Sequence, residues 1–128
     1  MRHQTFFAVL LAIILSKCNI AGDCSNHLSS QISNAKGNFK IVKFDRGCGA
    51  TTDNNIQLSV IKFSDSLPNE SGNIFISESK VGANLDLDTS VQAHWVNDTT
   101  IIVTHDRDLG IFKKNTQVKK LTVIYQLK

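Results

Sequence analysis

The stretch Asp45-Arg46-Gly47-Cys48-Gly49-Ala50-Thr51-Thr52 sets a cysteine between two glycines and runs into two threonines. A thiol placed this way could be a nucleophile, a metal ligand or half of a disulfide. A nucleophilic thiol needs a base, and a metal needs further ligands at set spacings; neither lies close to Cys48 in the sequence. Cys24 offers the third option a partner. His94, His105, Asp106 and Asp108 gather around one predicted hairpin, and two imidazoles with a carboxylate are a zinc-type donor set. If that hairpin turns at Asn97-Asp98, His94 pairs near Ile101, four residues short of His105, so this spacing does not specify a metal site. Asp86 and Asp88, like Asp106 and Asp108, form D-x-D pairs, but neither continues into the glycine and closing glutamate of a calcium loop. There is no G-x-S-x-G elbow, H-E-x-x-H helix or phosphate-cradling glycine loop. The expectation is a protein without catalytic residues or cofactor, and not an enzyme.

Residues 1–18 have the layout of a secretory signal, with Arg2 ahead of an unbroken apolar run from Phe6 to Leu15. The ten residues of that run fall short of the roughly twenty that a membrane-spanning helix needs. Leu15-Ser16-Lys17-Cys18 is similar to a bacterial lipoprotein signal, except that lysine stands where a small residue normally precedes the cysteine. Two fates follow: Cys18 carries a lipid that tethers the chain to a membrane, or a peptidase cuts after Cys18 or Ala21 and frees it. Under either, the chain is exported, to the periplasm or to a lipid anchor, and Cys24 and Cys48 remain. Two cysteines in an oxidising compartment are expected to pair, closing a loop of about 25 residues worth roughly 3 kcal/mol.

The 14 Lys and Arg against 11 Asp and Glu give +3, but removing the leader takes Arg2 and Lys17 and leaves 12 against 11, or +1. Nothing in that balance points to nucleic acid. From Arg107 onward the chain is locally basic, with Lys113, Lys114, Lys119, Lys120 and Lys128 against Asp108. Lysines guarding a strand edge account for this run; contact with anionic lipid or an acidic partner is the other reading. Asn69-Glu70-Ser71 and Asn97-Asp98-Thr99 match the N-glycosylation pattern, and beside a bacterial-type leader they read as chance matches.

Residues 24–128 form one domain, with neither repeat nor internal boundary. Cys24 to Ile32 suits a short helix face or a strand, Leu28 and Ile32 being four apart among serines. Asn34 to Asn38 supplies turn residues before the β-rich run Phe39–Phe44, so the two cysteines lie at the open end of a hairpin. Ile56–Phe63 alternates until Val60-Ile61, where a bulge would reconcile the change of face. Ser64–Gly72 reads as a surface loop and Asn73–Glu78 as a short strand with Phe75 opposite Ile74 and Ile76. Lys80–Thr89 is irregular. Ser90–Val96 and Thr99–His105 form the clearest hairpin, with Trp95 as a core anchor. Asp106–Thr116 reads as a loop, and Val118–Leu127 as a last strand, half-buried at its far end only. The sum is a mostly β fold of about seven strands, an antiparallel sandwich or small barrel. Gly47 and Gly49 would bend the backbone around Cys48, with Thr51 and Thr52 bonding that turn.

Phe44 through Thr52, Ser59-Val60-Ile61, Leu67-Pro68-Asn69, Gly72-Asn73-Ile74-Phe75-Ile76, Val91 through Trp95 and a lysine-bearing final strand together resemble a group of short exported bacterial proteins of no known activity. The likeness runs from Cys24 to about Tyr125; the turn after Ser33 departs from it, lacking a proline-aspartate-glycine sequence. It implies kinship and no site residues. The functional expectation is a non-enzymatic envelope protein that binds another protein. One version is an inhibitor or immunity protein against an exported toxin or hydrolase, using Asp86 and Asp88 or the basic end. The other class is a small-molecule or metal-binding periplasmic module built on His94, His105 and Asp106.

Overall fold

The computed structural model describes residues 23–49, 54–79 and 86–128. The leader with Cys18, the Ala50-Thr51-Thr52 segment and most of the 80–89 connection lie outside the described residues, and with them the expectations placed there. Nine strands form two sheets: β1 (Ser25–Ser33), β2 (Phe39–Gly47), β3 (Asn55–Lys62), β4 (Phe75–Ser79), β5 (Val91–Asn97), β6 (Thr100–His105), β7 (Leu109–Lys114), β8 (Gln117–Val118) and β9 (Leu121–Leu127). One sheet runs β1-β2-β3-β4-β7 and the other β5-β6-β9-β8. They stack as a β-sandwich and do not close into a barrel. A single helical turn, α1 (Leu87–Ser90), precedes β5, with the Asp86 carboxylate accepting from the Asp88 amide. Among the described residues no helix is long and apolar enough to cross a membrane.

The first arm of the expected hairpin is a strand and not a helix: Ser25–Ser33 pairs along β2 with a register shift between Leu28 and Ser30. Other expectations change. The stretch read as a loop after His105 contains β7, which pairs with β4 in the first sheet. The last strand is broken at Lys119, the only described non-glycine residue with positive φ (55°), into β8 and β9. Nine strands therefore replace about seven. One neighbouring pair is also parallel: β6 with β9. The chain leaves the second sheet after β6, runs back along the first as β7, and re-enters the second as β8. The turn at Lys119-Lys120 then sends β9 in the direction of β6.

β3 needs no bulge at Val60-Ile61, because its pairing with β2 and β4 is regular. It is buried on both faces from Asn55 to Ile61. Ile56, Leu58 and Val60 face the second sheet within a cluster that includes Ile41, Phe75, Val91, Ile101, Val103, Leu121 and Val123. On the other face Val42, Phe44 and Ile61 are covered by Leu67 from the 63–74 loop. Side-chain amides hold that loop down. Asn73 bonds both the amide and the carbonyl of Val60 (2.8 and 2.9 Å) as a strand would, and Gln57 Oε1 accepts from the Gly72 amide at 2.7 Å. A Cβ on Gly72 would sit 2.7 and 2.8 Å from the carbonyl oxygens of Phe75 and Leu58, so no larger residue fits there.

Burial along β9 is the reverse of the expectation. Leu121 and Val123 are in the core while Leu127 is 53% exposed, because the cluster between the sheets takes in the near end of the strand and not Leu127. Trp95 is half-buried at the rim, and Phe44 and Phe75 are the largest fully buried side chains. Gly47 lies within β2 and does not bend the chain; Gly49, at φ 100°, does. Asn34 is buried and organises the β1–β2 turn: its Oδ1 accepts from the amides of Asn38 and Phe39, and its Nδ2 donates to the Asp98 carbonyl in the β5–β6 turn.

Candidate functional site

A disulfide joins Cys24 to Cys48 across the open end of the β1–β2 hairpin. Both sulfurs are committed, so neither is a nucleophile or a metal ligand. Such a bond belongs to an oxidising compartment outside the cytoplasm.

The histidines are kept apart by the hairpin that holds them. His94 pairs with Ile102 and His105 with Val91, an odd offset that puts the two imidazoles on opposite faces of the sheet. His94 is exposed. His105 is buried against Phe75 and Tyr125, with ring centroids 5.5 and 6.5 Å away. Its Nδ1 lies 3.0 Å from the Asp106 carbonyl oxygen, which makes Nδ1 the protonated nitrogen, and Nε2 is buried without a partner. Asp106 spends Oδ1 on the Asp108 amide. Among the described residues no three His, Cys, Asp or Glu side chains gather to hold a metal ion. The basic run after Arg107 is also dispersed. Lys119 and Lys120 sit at one end of β9 and Lys128 at the other, about 26 Å away at ~3.3 Å per residue.

The described structure instead brings together residues at the β1–β5 edge. At the opposite edge the chain itself crosses between the sheets, from β7 to β8 through Asn115 and Thr116. At this edge the strands are joined by side chains alone. Trp95 Nε1 donates to the Ile32 carbonyl at 3.0 Å, and Lys43 Nζ donates to the carbonyls of Asp88 and Val91 at 2.9 and 3.3 Å. Beside these struts opens a cleft of about 270 Å³. Ile41 and Leu58 form its buried floor; Ser30, Ile32 and Lys43 line it on the side of β1 and β2, and Gln92, Ala93 and His94 on the side of β5. The alternation of β2 makes Lys43 the residue that follows Phe39 and Ile41 on the face turned to the second sheet.

No family model, characterised protein or solved structure matches this chain.

Tyr125 closes the core at the opposite edge, its hydroxyl 2.9 Å from the Ile74 carbonyl oxygen and 2.6 Å from that of Asn115. Burial pushes its pKa from the ordinary 10.0 up to about 12. As the only tyrosine in the chain, it gives a clean readout. Tyrosinate absorbance of the folded protein is expected to rise with a midpoint near 12 and that of the denatured protein near 10.0. Because the folded pKa is the higher, the fold keeps its full stability below the unfolded value and loses it as pH climbs through this window. Tyr125→Phe removes that part of the alkaline loss. A folded midpoint at the ordinary value would contradict the assignment.

Proposed function

We propose that this protein is a non-enzymatic, exported binding domain of the cell envelope that presents the β1 edge of its sandwich to another protein. The observation that carries the reading is β1 itself. It is a nine-residue strand at the end of its sheet, exposed along nearly its whole length, with Leu28 and Ile32 each about half-exposed. A sheet edge offers backbone donors and acceptors to an incoming strand, and side chains on alternate positions add selectivity. Edges that must stay solitary usually carry lysine or proline. Ser25-Asn26-His27-Leu28-Ser29-Ser30-Gln31-Ile32-Ser33 has neither. The apolar leader and the disulfide support an extracytoplasmic setting, with the lipid anchor at Cys18 as one form of retention there. An exported toxin or hydrolase held by an inhibitor or immunity protein is a partner of this kind. Its contact would fall on β1, since the basic residues are dispersed and the Asp86 carboxylate is used to cap α1.

The purified oxidised protein, immobilised and challenged with envelope extracts, is expected to retain a partner that a Leu28→Lys, Ile32→Lys double variant releases while keeping its circular dichroism. Retention of nothing, or equal retention by the folded variant, would remove β1 as the contact.

A further inference from the structure

We infer that the cleft between β1, β2 and β5 binds a small aliphatic carboxylate, with the carboxyl group on the Lys43 ammonium and the hydrocarbon body over Ile41 and Leu58. This goes beyond partner binding at the strand edge and does not rest on it. The sign of the ligand's charge comes from Lys43, the only lysine, arginine or acidic residue among those lining the cleft. Its ammonium has three hydrogens, and two are taken by the carbonyls of Asp88 and Val91. No carboxylate among the described residues pairs with it; the one ion pair there is His27 with Asp45, 3.4 Å apart. Lys43 is therefore a half-buried cation whose charge meets only neutral acceptors, at a place where an anion is attracted more strongly than in bulk water. The two carbonyls also hold the ammonium in position beforehand, which lowers the ordering cost of binding.

The ligand's body and size follow from the remaining walls. Ile41 and Leu58 are at most 2% exposed, so the floor offers only apolar contact, while Ser30 and Gln92 at the mouth are open to water. The cleft is small, about 270 Å³, and open to water on one side, which limits its ligand to a short chain. Hexanoate fits that limit. A free acid and the C-terminal residue of a peptide present the same chemistry, and acetyl-leucine stands for the second.

Binding is read by the fluorescence of Trp95, the only tryptophan, whose indole is tied to Ile32 in the cleft wall, and by the methyl resonances of Ile41 and Leu58. Hexanoate or acetyl-leucine is expected to give saturable changes in both signals, the tighter of the two identifying the source. Hexylammonium and hexanol, of similar size, are expected to bind at least about tenfold more weakly, since a hydrogen bond to a charged group is lost. Lys43→Met should weaken the carboxylate by a similar factor and Lys43→Arg should restore it. The inference falls if neither carboxylate gives a saturable change, if hexylammonium or hexanol binds equally well, or if a folded Lys43→Met variant binds unchanged. Should Lys43→Met not fold, the comparison of carboxylate, ammonium and alcohol on the unaltered protein decides alone. Loss of the envelope partner from a Leu28→Lys single variant, which leaves every residue lining the cleft unchanged, with carboxylate binding intact would separate the two sites.

Discussion

Replacing Phe75 with alanine is expected to cost about 3–5 kcal/mol, the range for deleting a buried aromatic ring and leaving its cavity. Phe75 is 0% exposed and lies on the inner face of β4, opposite Leu58 of β3. Across the sandwich its ring meets two aromatic groups of the second sheet, His105 at 5.5 Å and Tyr125 at 6.0 Å between centroids. One side chain thus fills the space between β4 and the parallel pair β6–β9, which no backbone bond connects. The cavity cannot close easily, because Tyr125 is fixed by the carbonyls of Ile74 and Asn115 and His105 by its position in β6. Against a total stability of about 5–15 kcal/mol for a domain of this size, the loss is a third or more. Urea unfolding followed by Trp95 fluorescence measures it as a lower midpoint at unchanged slope. Phe112→Ala is the control: its ring is 66% exposed, and the change should stay within about 0.5 kcal/mol. A Phe75→Ala cost no larger than the control would show that the sheets are held together elsewhere.

Phe75 also marks what could be read from the sequence. The β1–β2 and β5–β6 hairpins were legible because each is local: alternating β-formers flank turn residues, and the hairpin's ends place Cys24 beside Cys48. β7 was not legible. Leu109-Gly110-Ile111-Phe112-Lys113-Lys114 contains a glycine and two lysines between loop-like flanks, and it becomes a strand by pairing with β4, 30 to 39 residues away. The apparent bulge in β3 has a nearer cause. Ile61 breaks the alternation only if one face of β3 is wet, and Leu67, from the loop that follows β3 and folds back over it, keeps that face dry. The histidine pair was read in a register one residue off. A turn at Asn97-Asp98 puts His94 opposite Ile101, on the face of His105, whereas Asn97 pairs with Thr100 and the irregularity after Trp95 sets His94 opposite Ile102, which turns the two imidazoles to opposite faces. The cleft left one trace, Lys43 standing in an apolar alternation after Phe39 and Ile41. A lysine at that position can be a solvated edge residue, and only the stacking of β5 over β1 makes it the cation of a cleft.

Cys48→Ser is expected to lower stability by about 3 kcal/mol, from the loop of about 25 residues that the disulfide closes in the unfolded chain. The residues around it say where the loss will appear. β1 buries little: eight of its nine residues are exposed and only Asn26 is intermediate. Its attachments are the ladder to β2, the Trp95–Ile32 bond and the Asn34 turn at one end, and the disulfide at the other. Asn26 adds hydrogen bonds to the Pro68 and Glu70 carbonyls and accepts from Arg46, but these are exposed or half-buried contacts near the same end. Without the disulfide, that end of β1 is expected to fray first. Amide exchange should then speed up for residues 25–28 before β3, whose residues are buried on both faces. The reducing-agent test separates the staple from any effect of the serine. Reductant should bring the unaltered protein down to the variant's melting point and leave Cys48→Ser where it is. If reductant and substitution both leave the melting point unchanged, the hairpin is held by its ladder alone. If exchange accelerates uniformly across both sheets, the disulfide acts through the unfolded chain and not by pinning β1. The distinction reaches the proposed function, because the strand that the disulfide secures is the one offered to a partner. Reduction would then weaken partner capture at temperatures where the core, read by slow amide exchange in β3, is still folded.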